Sequence, residues 1–183
     1  MKIRERWIDY LYRSATGTRE YRNSRTPVGL AIFGLFTALF VVLAIVADRV
    51  LDLPWPVPGE FSRAAAVFLI VVGVAITAWT VICFRSTRGT PVPINPPPVL
   101  IVEGPYRYAR NPMLTGVFLT MFGLGFAMHS ISLVLVFTPL YALAHVWEVK
   151  QIEEPELVRR FGKEFLAYRD RTPMFVPRIR VRG

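Results

Sequence analysis

The sequence predicts an all-α fold, a polytopic membrane bundle of four spanning helices that closes with a C-terminal helical hairpin and a cytoplasmic tail. Three observations predict it. The 183-residue chain is 53% hydrophobic and only 19% charged, and its mean hydropathy is +0.40, more apolar than an ordinary soluble domain. It contains long stretches without any charge, and its basic residues fall almost entirely between alternate stretches. Such a chain buries its apolar surface in lipid, where helices satisfy their own backbone.

The elements follow in order. Residues 1–27 form a basic amphipathic N-terminus, in which Ile3, Trp7, Tyr10 and Leu11 recur at helical spacing among Lys2, Arg4, Arg6 and Arg13. This pattern fits an interfacial helix on anionic lipid, and equally a basic topogenic tail. Residues 28–84 hold the first two spans and an outer loop. Val28 to Ala47 is a 20-residue run without charge, entered after Pro27, and Ala64 to Phe84 is a second of 21 residues. Each is long enough to cross the roughly 30 Å hydrocarbon layer.

Residues 85–183 supply a connector, a helical hairpin and a tail. Pro91, Pro93, Pro96, Pro97 and Pro98 favour a stiff extended connector. The 37 residues between Arg110 and Glu148 carry no charge, and a single helix of that length would measure about 55 Å. The run therefore folds back near His129-Ser130, giving helices from about Met113 to Met128 and from about Ile131 to Trp147.

Twenty of the 22 Lys and Arg residues lie in 1–27, 85–112 and 148–183, leaving only Arg49 and Arg63 elsewhere. Basic loops stay cytoplasmic, so both termini are expected inside, at a cell inner membrane or its equivalent. No cleaved signal is expected, because the first apolar run is too long and too late. The net charge of +9 then points to anionic membrane lipid as a partner, not to nucleic acid.

Several chemistries are missing. Cys83 is the sole cysteine, so neither an internal disulfide nor a zinc cluster is expected, and the two histidines, His129 and His145, stand about 24 Å apart along a helix, too far to share a metal. No glycine-rich nucleotide loop follows a strand, and no nucleophile motif is present.

Polar chemistry gathers instead in two places that the hairpin joins on one side. The first is Glu103-Gly104-Pro105-Tyr106-Arg107-Tyr108-Ala109-Arg110-Asn111-Pro112, leading into the third span. Asn111 as N-cap and Pro112 at the first helical position suit a helix start, where backbone amides and Arg110 would receive an anionic group. The same stretch also reads as a turn with an interfacial aromatic and arginine belt. The second place is the end of the fourth span, with His145, Glu148, Glu153 and Glu154. In an unbroken helix His145 and Glu153 share a face, while Glu148 and Glu156 read as solvated acids on an emerging helix.

The set Gly-Pro-Tyr-Arg-Tyr-x-Arg-Asn-Pro-Met-x-x-Gly at 104–116, Glu153-Glu154-x-x-Leu157-x-x-x-Phe161-Gly162, Tyr168-Arg169, and Pro173 to Pro177 resembles the integral membrane methyltransferases that include isoprenylcysteine carboxyl methyltransferase and the phospholipid methyltransferases. The resemblance covers about residues 98–178. It implies a methyltransferase that binds S-adenosylmethionine without a Rossmann fold and takes a lipophilic small-molecule or lipidated substrate sideways from the inner leaflet. Carried over by position, Pro98, Val99, Leu100, Ile101, Tyr106, Asn111, Pro112, Met113, Leu114, Glu153 and Glu154 would bind the cofactor, with no metal. Arg110 and His145 would be the catalytic candidates, His145 as a base for acceptors that must lose a proton. The prenylcysteine enzymes have His at the position of Asn111 and Arg at that of Val149, with Lys150 here about 100° round the helix. These departures bear on the acceptor more than on the methyl donor. Phospholipid amine N-methylation and S-methylation of a hydrophobic thiol are the enzymatic alternatives. A membrane reductase and a non-catalytic membrane protein are the others.

Overall fold

The computed structural model describes residues 3–85, 97 and 99–175. Within them every regular element is helical. The N-terminal helix α1 (Ile3–Thr16) is followed by α2 (Arg19–Leu51) and α3 (Gly59–Arg85). A 3-10 turn (Gly104–Arg107) leads into α4 (Pro112–Ala127). A second arm returns as one continuous helical path: a π turn (Leu133–Phe137), α5 (Thr138–Glu148), a second π turn (Val149–Glu153) and α6 (Glu154–Phe161). Helix α7 (Lys163–Arg171) closes the described chain.

Three helices are long and apolar enough to cross a membrane, Thr26–Leu51, Gly59–Phe84 and Leu133–Phe161, and α4 is a shorter apolar helix. The protein is an all-helical integral membrane protein. Two boundaries differ from the sequence expectation. Helix α2 begins at Arg19, ahead of Pro27, because one proline removes a single backbone donor, a loss that long membrane helices tolerate. The second hairpin arm, expected to end near Trp147, runs on to Phe161, since the one proline between them, Pro155, falls in the first turn of α6 just after the π turn, where its missing donor is tolerated.

The hairpin turns where expected. His129 adopts a positive φ of 53°, and Ser130 caps the next arm by accepting a bond from the Leu133 amide at 3.1 Å. Asp48, at the end of α2, accepts from the Ser130 hydroxyl and, at 3.0 Å, from the Ser132 amide. This carboxylate pins the first span to the hairpin tip.

Helices α3 and α4 form the most extensive pair. A Cβ at Gly73 would lie 2.6 Å from the Gly116 carbonyl oxygen, and one at Gly116 equally close to that of Gly73. Gly123 meets Ala66 and Ile70 in the same way. Lipid offers no hydrophobic force to join helices, so small residues that let backbones approach do the work. Where α2 crosses the second arm, Ala44, Met121, Leu133 and Tyr141 form the core. There the hydroxyls of Thr37 and Tyr141 bond at 2.7 Å.

Candidate functional site

The site lies at the end of the bundle away from the His129 turn, where the start of α4, the end of α3 and the emerging second arm converge. The chain reaches it through Gly104, whose φ is +58° and whose missing Cβ leaves room for the Cys83 sulfur. The 3-10 turn that follows presents Tyr106. Its backbone carbonyl accepts a 2.7 Å bond from the Tyr168 hydroxyl, so α7 is tied to the turn, and its ring packs on Phe84 of α3 at 5.8 Å.

Arg110 is a clamp. Its guanidinium pairs with Glu154, both side chains largely buried, and its Nε donates to the Thr172 carbonyl at 2.9 Å. Its own amide donates to Pro173 at 2.8 Å, and that of Asn111 to Met174 at 3.0 Å. Residues 172–175 thus run as a strap across the start of α4, continued by the bond from Thr115 to the Phe175 carbonyl and by Phe175 on Phe118. Part of the expected anion-receiving set at this helix start is therefore taken up within the chain. The amides of Arg110 and Asn111 are occupied, the Asn111 side chain makes no cap bond, and the Arg110 charge is already met.

Between these parts opens a cleft of about 90 Å³. Of the residues singled out in the sequence, Val99, Ile101, Tyr106, Arg110, Asn111, Glu153 and Glu154 line it. Leu100, Pro112, Met113 and Leu114 do not, Pro112 being buried and the other three half-buried nearby. Pro98 lies outside the described residues, as does most of the proline connector, although Pro97 lines the cleft and its carbonyl accepts from Arg160 at 2.9 Å.

His145 is away from the cleft. Its ring stands 4.6 Å from that of Tyr141 and within 6.3 Å of Phe33, Phe36 and Phe118, and its buried Nε2 has no hydrogen-bond partner. One turn on, Val149 is buried and lines the cleft, while Lys150 is exposed. In a pure α-helix Glu153 would be offset about 80° from His145. A π turn at Val149–Glu153 lies between them, the kind of bulge that recurs at functional sites, and Glu153 lines the cleft whereas His145 does not.

The reading of Glu148 and Glu156 as solvated acids is overturned. Glu148 is half-buried, and Glu156 is 3% exposed and lines the cleft. Burial of Glu156 is compensated by Arg160, 3.1 Å away in an ion contact whose atoms are misaligned for a hydrogen bond. Among the described residues the Glu153 carboxylate has no hydrogen-bond or ion-pair partner. The Tyr106 phenol is held well above its usual pKa, first by burial and then by the neighbouring Glu153 charge, and burial likewise raises that of Tyr168.

The sequence reading missed the wall contributed by α1. Leu11 lines the cleft, Asp9 pairs with Arg159, and Arg159 lies over the Tyr12 ring at 4.1 Å. The apolar spacing of Ile3, Trp7 and Leu11 signalled a face to be covered but not what covers it. Phe84, Phe165, Tyr168 and Arg160 were also missed as lining residues, and only the i,i+4 spacing of Glu156 and Arg160 hinted at their pairing.

The model of the phospholipid methyltransferase family matches residues 61–164, from the start of α3 to the start of α7 and more than half of the chain. The chain belongs to that family. Membership makes it a membrane protein of a methyltransferase family, and the matched stretch contains the cleft's Tyr106, Arg110 and Glu153. The chain is also similar to the nickel-cobalt-cadmium resistance protein NccN of Alcaligenes xylosoxydans xylosoxydans, 34% identical over 80 residues. That similarity covers 44% of this chain and 37% of the relative, so the chain spans well under half of that protein's length. No solved structure matches the chain.

Proposed function

We propose that this family member is an S-adenosylmethionine-dependent methyltransferase acting on a lipophilic acceptor, in the manner of the isoprenylcysteine carboxyl methyltransferases, with the methyl donor in the Tyr106–Glu153 cleft. The observation that carries the reading is the charge arrangement there. Both described cations on the wall are committed, Arg110 to Glu154 and Arg160 to Glu156, whereas Glu153 has no hydrogen-bond or ion-pair partner among the described residues. A cationic ligand satisfies that carboxylate. Aromatic and aliphatic walls from Tyr106, Phe84, Ile101 and Val149 suit a flat ring.

When bound, S-adenosylmethionine supplies an electrophilic methyl group on a cationic sulfur. Glu153 would accept hydrogen bonds from its ammonium or ribose hydroxyls, and Glu154, held by Arg110, would stay fixed beside it. The cleft's own work is to orient the reactants and keep water out. No covalent intermediate on the protein is needed. The alternatives to a carboxylate acceptor are a phospholipid amine or a hydrophobic thiol. Such an acceptor must lose a proton. His145, the candidate base offered by the sequence, does not line the cleft, and we assign it no part in that step. Substrate would enter from the inner leaflet, with both termini cytoplasmic as the basic segments direct.

The test is thermal unfolding in detergent with S-adenosylmethionine, S-adenosylhomocysteine or NADPH, on the native protein and on Glu153→Gln. A ligand at 100 times its Kd adds about 2.7 kcal/mol, about 5–10 °C for a chain of this size. The expected result is stabilisation by both adenosyl compounds, lost in Glu153→Gln. Stabilisation by NADPH alone would establish a reductase, and no response to any of the three a non-catalytic protein.

A further inference from the structure

The same helix that walls the cleft carries a second face. Around α1, Leu11, Ser14 and Ala15 are buried, and Leu11 reaches the cleft. Arg6 and Arg13, seven residues apart and so within about 20° of one another, lie on the opposite side and are exposed. Tyr10 lies within about 60° of both arginines and packs edge to face, at 5.9 Å, on Trp7, which is half exposed at the margin between this side and the Leu11 face. Arginines next to a Trp-Tyr pair are the composition of an interfacial anchor. Position agrees with composition. Helix α1 ends at Thr16 and α2 starts at Arg19, and only about 10 Å of helix separates Arg19 from Thr26, where the apolar span begins.

We propose that the Arg6, Trp7, Tyr10 and Arg13 stripe docks α1 on an anionic lipid leaflet, and that this docking holds the opposite face of α1 as a wall of the cleft. The mechanical link is on the page: Asp9 pairs with Arg159, Arg159 covers Tyr12, and Arg4 bonds Gln151 of the π turn that carries Glu153. Charge complementarity selects the leaflet, since the stripe presents two exposed cations and the acid one turn before Arg13, Asp9, is already paired with Arg159. Ligand binding in the cleft then depends on the lipid beneath α1. That coupling rests on the cofactor reading above, whereas the docking does not.

The experiment uses the full chain in nanodiscs of phosphatidylcholine alone or with 30 mol% phosphatidylglycerol. Hydrogen–deuterium exchange of the 3–16 amides reports docking, and titration with S-adenosylhomocysteine reports the cleft. Each arginine near an anionic surface shifts the balance about fivefold, so two give up to about 30-fold slower exchange on the anionic discs. The double variant Arg6→Glu, Arg13→Glu should lose this difference, and Arg6→Lys, Arg13→Lys should keep it. S-adenosylhomocysteine should bind the native protein about threefold or more tightly on anionic discs, with no such gain in the Glu variant. Equal exchange on both discs, or a lipid response that survives the Glu substitutions, overturns the docking. Slowed exchange with unchanged ligand affinity overturns the coupling. Absence of binding in discs and detergent alike overturns both the coupling and the cofactor reading, and exchange alone still decides the docking.

Discussion

Replacing Arg110 by Met should unfold the site before it touches any chemistry. The guanidinium is 12% exposed and its partner Glu154 14%, so the pair is largely out of water, and removing one member strands the other. Breaking a buried pair in this way costs about 3–5 kcal/mol. For a chain of this length each kcal/mol moves Tm by about 2–4 °C, giving a drop of about 6–20 °C in detergent, read by circular dichroism. The double variant Arg110→Met, Glu154→Gln removes both charges and leaves chiefly the Thr172 carbonyl without its 2.9 Å donor, a loss of about 1–3 kcal/mol. It should therefore be more stable than Arg110→Met alone. An Arg110→Met variant within 1 kcal/mol of the native protein, or a double variant whose loss is the sum of the two singles, would refute the clamp.

Two further outcomes follow from the same coordinates. Gly116→Ala should destabilise by about 1–3 kcal/mol, because the new Cβ meets the Gly73 carbonyl oxygen at 2.6 Å. Gly34→Ala, with nothing within 4 Å, should stabilise by about 0.5–1 kcal/mol through helix propensity alone; thermal unfolding of the two variants side by side checks the opposite signs. Tyr168→Phe removes the 2.7 Å bond to the Tyr106 carbonyl and should cost about 1–3 kcal/mol. It should also speed exchange of the 104–108 amides while leaving those of α2 unchanged.

Much of this protein is written in composition. Apolar runs long enough for lipid, the turn at His129-Ser130 and the crowding of acids after Trp147 are local properties, because burial in a membrane demands about 20 apolar residues in a row wherever the segment goes. The juxtaposition of Tyr106 with Glu153 was also reachable, since a hairpin must bring the flanks of its two arms together. Partner choice was not. Whether Arg110 faces a ligand or Glu154, 44 residues away, depends on which charge arrives within a few ångströms, and spacing along a chain carries no such distance. The same holds for Glu156, an acid that looks solvated until Arg160 and α7 cover it. It holds for Leu11, whose helix could lie on lipid alone but closes a cleft with its other face. Sequence by itself determined that the chain crosses a membrane and where its polar chemistry collects. Tertiary structure decided which charges are neutralised and which carboxylate, among the described residues, is left unpaired, because electrostatic pairing is set by through-space distance and burial.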